Sequence, residues 1–294
     1  VLEEADGLAY IKGKWIAVDA GKLKQTLDAY ENARKLMEDK NLSLRDALRL
    51  QLYSNNMLGL PVDDDSIEVS NGEWLKQVME KLTNQDLIPL SRVDNNFKAH
   101  LRPYQEKGAS WLCFLDSLRF GACLADDMGL GKTIQILAFL HILKNKKQKN
   151  ASLLIIPASL ISNWSCEINR FAPDMNYFIA HPEAHPDKKV AEKNETSLNK
   201  LDLVITTYTL VQKYEWLKTY SWNYVILDEA QVIKNPGTQQ TRSVKILNSQ
   251  NRIIMTGTPI ENRLSDLWSL FDFLNPGLLG TAKEFGAFAS NAKK

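Results

Sequence analysis

The sequence predicts an α/β protein: a mostly parallel sheet with helices on both faces, preceded by a smaller, mainly helical region. Three observations predict it. Short, almost wholly apolar runs recur at 123–125, 152–156, 203–206, 224–227 and 252–255, with a weaker one at 176–179. Continuous rather than alternating apolar runs suit strands buried on both faces. Segments of helical length separate them, as parallel strands joined by crossovers require. Each run also ends at a short polar stretch, and in open sheets of this kind ligands sit beyond the carboxyl ends of the strands. The polar stretches are therefore expected on one rim, around one shared site.

Residues 1–90 have a different texture. Tyr10 to Val18 alternates weakly and predicts a short strand or hairpin. Leu23, Leu27, Tyr30 and Met37 fall on one stripe of a helix over 23–39. Ser43 can cap a second helix that buries Leu44, Ala47, Leu48 and Leu52. Three aspartates at 63–65 lack the oxygen-ligand spacing of a calcium loop and read as solvated. Asn71-Gly72-Glu73 opens a third helix, with Trp74, Val78 and Leu82 on one side and Leu75 and Met79 beside them. A connector with Pro89 then leads into the sheet region, taken as 91–280, and 281–294 begins a further segment.

Composition excludes several classes. The 294 residues are 44% hydrophobic and 24% charged, ordinary for a globular protein, and the net charge of +1 points to no global field for nucleic acid or membrane. Cys113, Cys123 and Cys166 form no C-x-x-C pair and read as small buried residues in a reducing compartment. No apolar run approaches a membrane span, and no leader precedes the first helix. The chain starts without Met and ends without a recognisable stop, so it reads as a piece of a longer protein. The basic stretch 144–150 reads as a solvated turn, and His181 and His185, flanked by prolines, do not form a metal pair.

The chemistry concentrates in four stretches. Asp126-Asp127-Met128-Gly129-Leu130-Gly131-Lys132-Thr133 lies between an apolar run and a helical one. Such a glycine loop turns backbone N–H groups toward a polyphosphate at a positive helix end. Gly129, Leu130 and Gly131 belong to that cradle, Lys132 can reach the β- and γ-phosphates, and the Thr133 hydroxyl can reach Mg²⁺. Asp126 stands where the strict motif has glycine. After the run 224–227, Asp228 can hold Mg²⁺ through its water shell and Glu229 can polarise the attacking water. Gln231 can couple that pair to a neighbouring motif by amide hydrogen bonds. Thr256 and Thr258 flank Gly257 after the run 252–255 and suit a relay to the acidic pair. In Leu101-Arg102-Pro103-Tyr104-Gln105, the Gln105 amide both donates and accepts, as the edge of adenine requires.

Taken in order, these stretches resemble the first RecA-like lobe of SNF2-family ATPases. The likeness also includes Ile233-Lys234-Asn235, Thr256-Gly257-Thr258-Pro259-Ile260-Glu261-Asn262, Asp266-Leu267-Trp268-Ser269-Leu270 and Pro276-Gly277-Leu278-Leu279-Gly280, and it covers about 97–280. Asp126 is itself family-like, and Glu261 fits the bacterial branch. Residues 1–90 resemble the helicase-associated region that precedes the ATPase in bacterial members, through 13–19 and 42–48.

The resemblance implies a P-loop fold, ATP and Mg²⁺ as cofactors, and translocation on double-stranded DNA. It implies that Arg102 assists Gln105 at the adenine. Ile156-Pro157-Ala158-Ser159-Leu160 with Asn163-Trp164, and Thr206-Thr207-Tyr208, resemble the segments that touch the DNA backbone in this family, which implies contacts from Ser159, Asn163 and Thr207. A second RecA-like lobe would supply arginines to the γ-phosphate, so 1–294 alone is expected to hydrolyse ATP poorly. The expected setting is the bacterial cytoplasm, at the nucleoid. Two alternatives stand beside translocation: a strand-separating helicase of the same superfamily, and an ATP-gated scaffold that regulates a DNA-bound partner such as RNA polymerase.

Overall fold

The computed structural model describes residues 8–11, 14–17, isolated helical positions between 21 and 48, 72–146, 150–184, 195–258 and 264–291. The aspartates at 63–65, His185, 188–194 and Glu261 lie outside the described residues, as do most of the two helices expected over 23–52. The chain divides into two compact units, 1–76 and 77–294.

In the first unit, β1 (Leu8–Ile11) pairs antiparallel with β2 (Lys14–Ala17), the hairpin that the alternation predicts. Leu27 and Tyr30 are helical and exposed; Leu23 and Met37 lie outside the described residues. Helix α1 (Glu73–Thr83) straddles the division between the units; Trp74, before it, is exposed, and Val78, in the second unit, is buried.

The second unit follows with α2 (Pro103–Ser117), β3 (Ala122–Leu124), α3 (Lys132–Asn145), β4 (Ser152–Ile156), α4 (Ile161–Phe171) and β5 (Tyr177–Ile179). Then come α5 (Glu195–Leu198), β6 (Leu203–Thr207), α6 (Tyr208–Lys213), α7 (Glu215–Thr219) and β7 (Trp222–Leu227). The last elements are α8 (Gln239–Lys245), β8 (Ser249–Met255), α9 (Leu264–Leu274) and α10 (Ala282–Asn291). All six apolar runs form strands, displaced or extended by at most three residues at an end.

These six strands form one sheet in the order β3-β8-β7-β4-β6-β5, every pair parallel. Every residue of β4, β6 and β7 is buried, the signature of a sheet covered on both faces. The order places the site. β3 and β4 follow one another in the chain but are not neighbours, because β7 and β8 insert between them. The turns that follow β3, β8, β7 and β4 therefore lie side by side on one rim.

Polar anchors fix the margins. Asn275, 2% exposed at the end of α9, accepts from the Gly121 N–H at 2.9 Å and donates to the Gly121 carbonyl at 3.3 Å. Arg252 on β8 donates to the carbonyls of Phe273, Lys245 and Leu247 at 2.9–3.1 Å, tying the end of α8 to α9. Ahead of α2, Asp94 is bonded by the fully buried His141 at 2.7 Å and by Asn145 at 2.9 Å. The His141 hydrogen bond is the main reason that the Asp94 carboxyl is held down to about 2.

The cysteine expectation needs correction. Cys113 is buried and Cys123 half-buried, its thiol pushed up to about 11 by burial, but Cys166 is exposed on α4. Within the basic stretch, Lys144 pairs with Asp174 and Asp202, and Lys146 with Asp116, so both described lysines face carboxylates.

Two outcomes follow. A Cβ on Gly121 would sit 2.4 Å from the backbone carbonyl of Leu274. Gly121→Ala should therefore lower unfolding stability by about 1–3 kcal/mol, read as the urea midpoint. The second concerns acid. A carboxyl whose folded pKa lies below its unfolded value stabilises at higher pH and loses that contribution as pH falls. Asp94→Asn should be less stable than wild type at pH 6, and the gap should close between about pH 4 and pH 2.

Candidate nucleotide site

The loop after β3 is shaped by two left-handed glycines, Gly129 at φ +83° and Gly131 at φ +78°. Gly131 is the N-cap of α3, and a Cβ there would come within 2.7 Å of Gln105 Nε2. A side chain is excluded twice, by backbone angle and by space. The first N–H groups of α3 lack intrahelical partners and carry the positive end of the helix dipole. The Lys132 ammonium folds back over the loop, donating to the carbonyls of Asp126 at 2.7 Å and Asp127 at 3.1 Å.

Two glutamines brace this loop. Gln135, 1% exposed, donates through Nε2 to Asp126 Oδ2 at 2.7 Å. Asp126, the departure from the strict glycine motif, thus fastens the start of the loop to the helix that ends it. Gln105, 7% exposed, accepts from the Arg102 N–H at 2.9 Å and donates to the Leu130 carbonyl at 3.1 Å. Tyr104 donates to the same carbonyl at 3.0 Å. Where α2 approaches α3, a Cβ on Gly108 would meet the Gln135 amide, which would have to shift.

The acid pair emerges where β7 ends. Asp228 Oδ1 accepts from the Glu229 N–H at 2.9 Å, and Oδ2 accepts from the Trp164 indole N–H at 3.0 Å. The Tyr208 hydroxyl donates to the Asp228 carbonyl at 2.7 Å. Burial pushes the Asp228 carboxyl up; the Trp164 and Glu229 hydrogen bonds and the Lys132 charge oppose the rise, and the Glu229 charge adds to it. Glu229 itself sits in the left-handed region at φ 50° and ψ 52°, a conformation that costs a non-glycine residue on the order of 1–3 kcal/mol. Its side chain is held: Gln231 Nε2 donates to Glu229 Oε2 at 2.6 Å, and Gln231 Oε1 accepts from Thr256 Oγ1 at 3.1 Å. Thr256 Oγ1 in turn accepts from the Thr258 N–H at 3.1 Å. One hydrogen-bonded chain therefore runs from the end of β7 to the end of β8.

The donor set fits a magnesium nucleotide. Among the described residues no group of three or more His, Cys, Asp or Glu side chains could hold a metal ion. Mg²⁺ asks for less, since it takes one or two carboxylates and completes its shell with phosphate and water. Asp228 and Thr133 supply such groups beside the phosphate loop.

The residues expected to meet DNA divide. Ser159 and Asn163 are exposed after β4. Thr207 is 4% exposed, and its hydroxyl bonds that of Thr209 at 3.1 Å. Thr207 is buried, and Thr209 is the exposed hydroxyl beside it.

Sequence reasoning gave no role to Gln135 or Glu167, and it placed Trp164 and Tyr208 only within the stretches that resemble DNA-backbone segments of the family. A lone amide inside the apolar stretch 134–143 was a signal for Gln135. Glu167 lies beside Thr133 and bonds Asn163 at 3.2 Å; burial is the main cause of its raised carboxyl pKa. No local signal gave the partner of Trp164 or Tyr208, because both donors reach the end of another strand, β7.

Comparison with known proteins agrees with this geometry. Residues 104–292 match the SNF2-related domain. YwqA of Bacillus subtilis, named as an ATP-dependent helicase/translocase, is 39% identical over 288 residues, covering 95% of this chain and 30% of that protein. The ISWI chromatin-remodeling complex ATPase ISW1 of Saccharomyces cerevisiae is 37% identical over 65% of this chain and 17% of its own length. The Sulfolobus solfataricus SWI2/SNF2 ATPase core, solved in complex with double-stranded DNA, superposes with a TM-score of 0.63 at 45% identity, covering 70% of this chain and 42% of that one. The chain thus spans less than a third of the length of these two curated relatives.

The Lys132 side chain makes its described bonds only to loop carbonyls. Lys132→Ala should leave the circular-dichroism spectrum and melting profile close to wild type and weaken ATP binding by about tenfold or more, the loss of one charge-assisted contact. Calorimetric titration with ATP checks it, and unchanged affinity would refute the assignment.

Proposed function

This chain belongs to the SNF2-related family, and from that membership we propose that it is the first motor lobe of a DNA-dependent ATPase that translocates on double-stranded DNA. The observation that carries the proposal is the hydrogen-bonded chain Glu229–Gln231–Thr256–Thr258, which joins the acid pair to the next strand end. Residues 91–280 form the ATP-binding lobe in this reading, 1–90 brace it, and 281–294 begin the passage to a second RecA-like lobe. The match to YwqA supports this division, since it reaches well beyond the 104–292 of the SNF2-related domain.

Each residue then has a task. The backbone of 129–133 and the Lys132 ammonium hold the phosphates, and Lys132 exchanges its loop carbonyls for phosphoryl oxygens. Thr133 and Asp228 hold Mg²⁺, which when bound neutralises charge on the transferring phosphoryl group. Glu229 orients and polarises the attacking water, its carboxylate aimed by Gln231. Arg102 and Gln105 serve the adenine, and Gln105 also ties that side of the pocket to the loop through Leu130. Ser159 and Asn163, with Thr209 replacing Thr207, touch the DNA backbone. Phosphate contacts position without reading sequence, so the motor is sequence-tolerant and salt-sensitive. The DNA in the solved Sulfolobus complex supports this choice of partner.

ATP turnover of 1–294 and of the protein carrying both lobes, each with and without duplex DNA, tests the proposal. The two-lobe protein should respond to any duplex sequence. The shorter chain should turn over slower by about 10³-fold or more, since arginines from the second lobe are absent. Robust duplex-stimulated turnover by 1–294 would sink the two-lobe requirement; duplex-insensitive turnover by the two-lobe protein would sink the motor reading.

A further inference from the structure

Asp228 is held from outside its own strand by two buried aromatic donors. Trp164, 1% exposed on α4, reaches its carboxylate at 3.0 Å, and Tyr208, 4% exposed as the first residue of α6, reaches its carbonyl at 2.7 Å. Both helices leave the same rim of the sheet, after β4 and β6, which pair with one another. Each donor lies next to an exposed polar residue: Asn163 precedes Trp164, and Thr209 follows Tyr208. The two segments thus present polar groups outward and one aromatic donor inward, and both donors end on Asp228.

A buried Trp or Tyr needs a partner for its polar atom, and Trp222 finds one nearby in the Leu217 carbonyl at 2.8 Å. Trp164 instead crosses from α4 to the end of β7, between residues 64 apart in sequence. A hydrogen bond weakens steeply once its geometry is off-line, so a small shift of α4 or α6 alters how Asp228 is held. A third link runs beside these, since Asn163 bonds Glu167, and Glu167 lies beside Thr133.

We propose that Trp164 and Tyr208 are positioning residues through which DNA seated on 159–163 and 207–209 sets Asp228 for its metal. The inference rests on the reading of these segments as a DNA track. It adds that DNA acts on the nucleotide site from within this lobe, through two aromatic donors, besides any effect of bringing lobes together.

The test uses the whole protein, both lobes included. The readout is the Mg²⁺ concentration that half-saturates binding of a non-hydrolysable ATP analogue, with and without duplex DNA, alongside kcat and KM for ATP. In the wild type, duplex should lower that Mg²⁺ concentration. Trp164→Phe keeps an aromatic, though smaller, side chain and removes the N–H; it should raise the Mg²⁺ requirement roughly tenfold, as expected for losing a hydrogen bond to a charged group, and abolish the duplex effect. kcat in the presence of DNA should fall with little change in KM. Tyr208→Phe, which removes one oxygen, should weaken the duplex effect in the same direction. A Tyr208→Phe protein with wild-type Mg²⁺ dependence overturns the inference whether or not Trp164→Phe folds. A wild type whose turnover responds to duplex but whose Mg²⁺ requirement does not also overturns it, leaving the motor reading intact. A wild type insensitive to duplex in both readouts overturns the motor reading and this inference together.

Discussion

Parallel pairing is the constraint from which the site follows. When every strand runs the same way, every carboxyl end opens on one edge, and the connections must return across the faces. Here β7 and β8 enter between β3 and β4, so the glycine loop, the acid pair and the Thr256–Thr258 turn become neighbours although they are far apart in sequence. Burial of whole strands such as β4, β6 and β7 holds this arrangement rigid, because a one-residue slip would misplace every strand end at once.

On that rim, conformational cost is concentrated at a few positions and offset by hydrogen bonds. Glu229 is held in a left-handed conformation, and its side chain is bonded by Gln231. Asp228 is half-buried, which disfavours its charge, yet both carboxylate oxygens accept hydrogen bonds. The glycine loop is pinned at Asp126 by Gln135 and at Leu130 by Gln105 and Tyr104. The loop is therefore held in place by the protein alone, and in the proposed site phosphate binding would carry a small ordering cost.

Lys132 shows how such a site waits. Its ammonium rests on two loop carbonyls, which satisfy part of its hydrogen-bonding capacity and keep it over the cradle. An incoming phosphate offers a charged acceptor in place of neutral ones, a stronger partner for the same donor. Asp126 belongs to the same economy of contacts. It departs from the strict motif, and its carboxylate is what clamps the loop to α3.

Much of this was legible along the chain, for a definite reason. Strands buried on both faces must be apolar throughout, so all six could be read directly from runs of apolar residues. A loop that receives phosphate needs glycines, a lysine and a hydroxyl in fixed order, so Gly129 to Thr133 announced themselves; so did Asp228 and Glu229 at a strand end. What the sequence by itself determined is therefore the sheet and the stretches from which the proposed nucleotide site is built. The tertiary structure alone decided the partners of those groups. Residue order set Trp164 and Tyr208 in stretches expected to face DNA and Gln135 in an apolar helix; only the fold delivers their donors to Asp228 and Asp126. The same fold buries Thr207 and exposes Thr209, and it exposes Cys166 against the reading from residue type. Local chemistry is written in residue order, but which donor meets which acceptor depends on strand order, and strand order exists only once the sheet has assembled.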